Sequence, residues 1–209
     1  MNHLKMLGLA AVAAAALTAL VGTGSASATV LCKATETPCL EFNKYPVGTF
    51  AHGSLAPGTS AAFKTTGGDT VLTCTNGTIK GELSQAGSAT QTPSGTGSAA
   101  NVNWTGCDKT MHTISGGEIE VHHITGTDNG TVIVKNFQTT INLFGVSCTY
   151  GYGAGTDIGV LTGGKEPTLD IKVVLNKTAG GFICPTHVVG EALGVLTEPT
   201  ELPVYVEPE

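Results

Sequence analysis

The 209-residue chain contains no arginine: its ten basic residues are all lysines, set against sixteen acidic ones for a net charge of −6. Nucleic acids and anionic membrane surfaces are held by clustered Lys and Arg, so neither is expected as a partner. Aromatic residues make up only 5% of the chain, with Trp104 the sole tryptophan, which leaves few platforms for stacking sugar rings. No C-x-x-C, no G-x-S-x-G elbow and no phosphate-binding loop occurs, and no cofactor is expected. Beyond residue 28 no apolar run approaches the roughly 20 residues of a membrane-spanning helix, so no span is expected there either.

What the chain does have begins at its N-terminus. Lys5 gives a short positive region, Leu7 to Val21 an apolar stretch rich in Ala and Leu, and Ala26-Ser27-Ala28 an A-x-A cleavage site. The pattern predicts a secretory signal peptide over residues 1–28. A single secreted all-β domain is then expected over residues 29–209, in an extracellular setting.

All six cysteines, Cys32, Cys39, Cys74, Cys107, Cys148 and Cys184, follow the expected cleavage point. An even number in an exported chain predicts three disulfides rather than a metal centre. Spacing alone leaves the connectivity open. Sequential pairing, Cys32 with Cys39, Cys74 with Cys107 and Cys148 with Cys184, is favoured because each pair closes a loop that a hairpin or meander brings together.

Alternation of period 2, bounded by Gly, Pro, Asn and Asp, replaces any helical period. Glu118 to His122, Thr131 to Lys135, Gln138 to Leu143 and Thr168 to Leu175 read as half-buried strands. In these, Ile141, Leu143, Leu169, Ile171, Val173 and Leu175 are expected to face the core. Asn129-Gly130 between two such runs reads as a tight hairpin turn. Shorter strands are expected at Thr49 to Leu55, Ser60 to Lys64, Thr70 to Cys74, Thr78 to Leu83, Asn101 to Gly106 and Pro203 to Val206. The fold class that results is an antiparallel β-sandwich, Ig-like or jelly-roll-like. Ser84 to Ala100, rich in Gly, Ser, Thr and Ala, reads as a loop, a polar edge hairpin or a linker.

Three groups of side chains bear on chemistry. Glu118, Glu120 and His122 alternate along one strand face at successive separations of roughly 7 Å. Glu118 and Glu120 could serve as the carboxylate pair of a glycoside hydrolase. Glu118 to Val121 is similar to the E-I-D-x-x-E strand of one β-sandwich glycosidase family, with His123 where the third carboxylate would stand. His122 with Glu120 is the corresponding metal alternative. Tyr150 and Tyr152 share a face beside glycines, where they either pack in the core or form a recognition edge. Against the first group stands the plain reading of a solvated outer strand face.

The strings Lys5 to Ala11, Ala28 to Cys32, Trp104 to Cys107, Gly126 to Thr131 and Ser147 to Gly151 resemble those of exported, Gly/Thr-rich β-proteins of high-GC Gram-positive bacteria. The resemblance implies export and a β fold, and carries no activity or site residue with it. The expected function is a secreted, non-catalytic binding or structural protein of the extracellular space or cell envelope, its ligand and oligomeric state unspecified. A secreted carbohydrate hydrolase using Glu118 and Glu120 is the alternative.

Overall fold

The computed structural model describes residues 28–198 and 203–209, so the expected signal peptide lies, apart from Ala28, outside the described residues. The described chain is all-β. Its strands are β1 (Thr29–Cys32), β2 (Phe50–Leu55), β3 (Ala61–Thr65), β4 (Thr70–Gln85), β5 (Gly87–Ser88), β6 (Ser94–Thr96) and β7 (Val102–Cys107), followed by β8 (Met111–His123), β9 (Gly130–Leu143), β10 (Val146–Tyr152), β11 (Thr156–Thr162), β12 (Thr168–Ala179), β13 (His187–Glu198) and β14 (Tyr205–Pro208).

Antiparallel pairing runs from β9 through β8, β6, β4, β2, β13, β12 and β11, and from β11 back to β9. The sheet therefore closes on itself. The opposed inner faces expected of a sandwich are present, but they belong to one continuous barrel wall. Long strands build this wall by changing neighbours midway. The first half of β9 pairs with β11 and its second half with β10, while β13 pairs with β3 at one end and β2 at the other.

A change of neighbour requires a change of facing. In β9 the inward residues are Val132 and Val134, then Phe137, Thr139, Ile141 and Leu143, and the parity switches at Asn136, whose φ is +55°. The register against β8 is unbroken there: Gly116 faces Phe137 and Glu118 faces Lys135, with Gly117, φ +78°, opposite Asn136. A similar change of facing, again without a break in register, joins two predicted strands. Thr75-Asn76-Gly77 reads as a turn in the sequence but lies within the single 16-residue strand β4, where inward residues change from Leu72 and Cys74 to Gly77 and Ile79.

Two further expectations are corrected. The β8–β9 turn lies at Gly126, φ +81°, and Gly130 is already paired with His123; glycine is needed at 130 for close approach, since a Cβ there would meet Val121 and Val206 at 2.6–3.1 Å. Ser84 to Ala100 is neither linker nor free loop: β6 within it bridges β4 to β8 and completes the circuit.

At one end the barrel is filled by Leu72, Ile141, Leu175, Val188 and Tyr150, all essentially inaccessible, around the Cys74–Cys107 and Cys148–Cys184 disulfides. The other end is covered by a three-stranded sheet, β14-β1-β5, held to the β8–β9 turn by Val206 N donating to Asp128 O. The Cys32–Cys39 disulfide lies beside that cap. All three bridges follow the sequential pairing, and they fit an oxidising compartment.

Candidate functional site

Between the packed end and the cap the barrel holds a partly open cavity of about 270 Å³. Its walls follow from the period of 2. Inward positions carry Leu169, Ile171 and Val173 on β12, Ile119 and Val121 on β8, and Val132 and Val134 on β9. Apolar pattern alone would give a filled core, and what keeps this one open is side-chain size. Gly53 on β2, Gly77 and Gly81 on β4, Gly95 on β6, and Gly190, Ala192 and Gly194 on β13 all reach the lumen with little or no side chain. Leu31, Tyr45, Pro93 and Val204 close the end under the cap. Ile79, Leu83, Ile119, Leu169 and Ile171 consequently keep part of their surface accessible although they point inward.

Aromatic residues contribute to this lining as two pairs. Phe137 and Tyr152 stack at 5.8 Å between centroids, and Trp104 meets Phe63 edge to face at 6.5 Å and 87°. Burial holds the Tyr152 phenol well above the usual tyrosine range, so the group stays neutral. Tyr150 and Tyr152 share a face, and that face is the inner one. Tyr150 is 0% exposed with its phenol also pushed up by burial, and Tyr152 lines the cavity. The surface recognition edge considered from sequence is not formed by this pair.

Glu118, Glu120 and His122 alternate with the cavity-lining Ile119 and Val121, and so lie on the outer wall. Glu120 accepts a hydrogen bond from Lys135, which holds its carboxyl below the usual range, and its other oxygen stands 3.5 Å from His122 Nε2. A glycosidase acid must keep its proton near neutral pH, and Glu120 is shifted the other way. As a metal site the group offers one carboxylate already engaged by an ammonium. His123 turns to the opposite side, its Nε2 at 2.8 Å from Thr127 O. Among the described residues the one cluster with metal-ligand spacing is Cys32, Glu36 and Cys39, whose sulfurs are bonded to each other.

The geometry defines a closed antiparallel barrel with an apolar lumen, its polar side chains turned outward. A membrane-spanning barrel has the reverse polarity. No helix among the described residues is long and apolar enough to cross a membrane. No family model, curated protein or solved structure matches the chain.

Proposed function

We propose that this protein is a secreted, non-catalytic binding protein that carries an apolar small molecule inside its barrel. The observation that supports this is the partly open cavity of about 270 Å³, lined by apolar side chains and kept open by glycine and alanine at inward positions. Small-molecule sites are concave, mostly apolar and largely preformed, and a lumen between a disulfide-braced end and a capped end has those properties.

Trp104 lines the cavity and is the sole tryptophan, so it reports on occupancy. Titration with the neutral dye N-phenyl-1-naphthylamine should quench Trp104 emission by energy transfer and raise dye emission, saturably. Saturating ligand at about 100 times its Kd should add about 2.7 kcal/mol, moving the melting midpoint by several degrees. A titration without saturation, and without a thermal shift, would overturn the reading.

A further inference from the structure

Phe144 and Phe182 are 93% and 99% exposed, leaving almost their whole surface to solvent. Each stands on a turn at the packed end of the barrel. Phe144 and Gly145 form the two-residue connection between β9 and β10, where Leu143 pairs with Val146. Phe182 lies in the loop between β12 and β13. The two turns are neighbours: a Cβ on Gly181 would stand 3.5 Å from Val146 Cγ1, and one on Gly180 would stand 3.0 Å from Ser147 O. Given these contacts and the length of the chain step, the two phenylalanine α-carbons lie within about 20 Å of each other.

Folding does not account for the placement of Phe144. Its φ is +51° and that of Gly145 is +82°, the paired left-handed conformations that Asn-Gly adopts with least strain. A bulky aromatic residue there is strained, and an exposed ring makes too few contacts within the chain to offset the cost. Strain of this kind is characteristic of functional positions. Both turns are also held in place. Gly145 N donates to Asn142 Oδ1 at 2.9 Å. The Phe182 loop is tied by the Cys148–Cys184 bridge and by Lys177 Nζ, which donates to Gly181 O and Cys184 O at 3.5 and 3.3 Å.

Charge and area indicate what covers these rings. No charged residue occurs from Asn136 to Thr156 or from Thr178 to Thr186, so the two turns leave water without stranding a charge. Projecting rings need a partner that supplies depth. A second copy supplies it poorly: four phenylalanine side chains would bury about 600–1,000 Å², short of the roughly 1,200 Å² of a stable interface. A bilayer surface admits the rings without a preformed pocket. The net charge of −6 disfavours an anionic bilayer and leaves a neutral one.

We propose that Phe144 and Phe182 form a docking wedge for the surface of a neutral lipid bilayer, entering among the headgroups while the barrel stays in water. The attraction is apolar, so salt does not weaken it. Two partly inserted rings give weak, reversible attachment, comparable with a single acyl anchor. The assignment is independent of what the cavity holds.

The test is flotation of the oxidised protein with phosphatidylcholine vesicles at millimolar lipid, in low and in high salt. The wild type should float equally in both, and less with vesicles containing phosphatidylglycerol at low salt. Phe144→Asn and Phe182→Ser should each weaken partitioning about five- to tenfold, the worth of roughly half-burying one ring, and together they should abolish it. Phe144→Asn puts a favoured residue in the left-handed turn and Phe182→Ser removes an exposed side chain, so neither should lower the melting midpoint. Dye binding in the cavity should be unchanged in the double variant, so the wedge and the carrier reading fail separately. A wild type that does not float with phosphatidylcholine, or a double variant that floats as well, overturns the wedge. A preference for anionic vesicles that high salt abolishes overturns it too, by making attachment electrostatic. A wild-type dimer in sedimentation that the double variant loses would assign the rings to a second copy instead of a bilayer.

Discussion

Trp104 rests on Gly77 so closely that a β-carbon at residue 77 would stand 2.4 Å from Cζ3 and 2.5 Å from Cε3 of the indole. The two residues are register partners across β4 and β7, one residue pair removed from the pairing of Asn76 with Thr105. Glycine here is what allows the largest side chain of the protein to lie against the barrel wall instead of filling the lumen. Gly77→Ala should therefore cost about 1–3 kcal/mol through overpacking, read as a lower urea midpoint. The displaced indole should also give a shifted emission maximum in the folded state.

Filling the cavity should separate binding from stability. Ala192 lines the lumen, so Ala192→Leu places new methyl groups in open space instead of a packed contact. The expected outcome is loss of N-phenyl-1-naphthylamine binding with a stability change within about 1 kcal/mol. Ile141→Ala, in the packed end where the side chain is fully buried, should cost about 2–5 kcal/mol. Urea melts on both variants, with dye titration on the first, check the contrast.

The cap carries a pH dependence. Glu207 is buried in β14; burial first, and then the charge of Asp128, raise its pKa, with Thr37 and His123 opposing. A carboxyl whose folded pKa is raised binds its proton more strongly in the native state. Its cost is absent below the unfolded carboxylate pKa of about 4.3 and develops as pH rises through the folded value. Glu207→Gln, which keeps an acceptor for Thr37 Oγ1, should stabilise the protein at pH 7 and have little effect at pH 4. Urea midpoints of both proteins at the two pH values test the sign.

Replacing Cys148 and Cys184 together by Ser should lower stability by about 2–5 kcal/mol, since the bridge joins residues 36 apart and ties β10 to the loop before β13. Calorimetry of the double variant against the oxidised wild type measures it.

On the outer wall, Glu118→Gln with Glu120→Gln should leave dye affinity unchanged. Stability should fall by no more than about 1 kcal/mol, the worth of a partly exposed ion pair such as Glu120 with Lys135. Turnover of oligosaccharides by the wild type, abolished in this variant, would instead establish the hydrolase alternative.

Much of this architecture could be read from the chain. Period-2 alternation marks β8, β9 and β12, and Leu169, Ile171, Val173 and Leu175 do face inward. The disulfides follow from loop closure between neighbours. Barrel closure could not be read, because it depends on β13 meeting β2 across most of the sequence, and on Ser94 to Thr96, which carry no apolar pattern. The changes of facing at Asn136 and near Asn76 were hidden for a related reason: Asn and Gly signal a turn as readily as a shift of facing. The cavity was hidden because inward glycines such as Gly53 and Gly194 look, in sequence, like turn residues interrupting weak strands.

The three disulfides join Cys32 to Cys39, Cys74 to Cys107 and Cys148 to Cys184 without interleaving. A chain threaded from its N-terminus into an oxidising space would thus present each cysteine with its correct partner before the next pair emerges. If oxidation keeps pace with translocation, no more than one thiol is ever waiting. The mispaired forms open to six cysteines are then avoided by order of arrival, without reliance on later reshuffling.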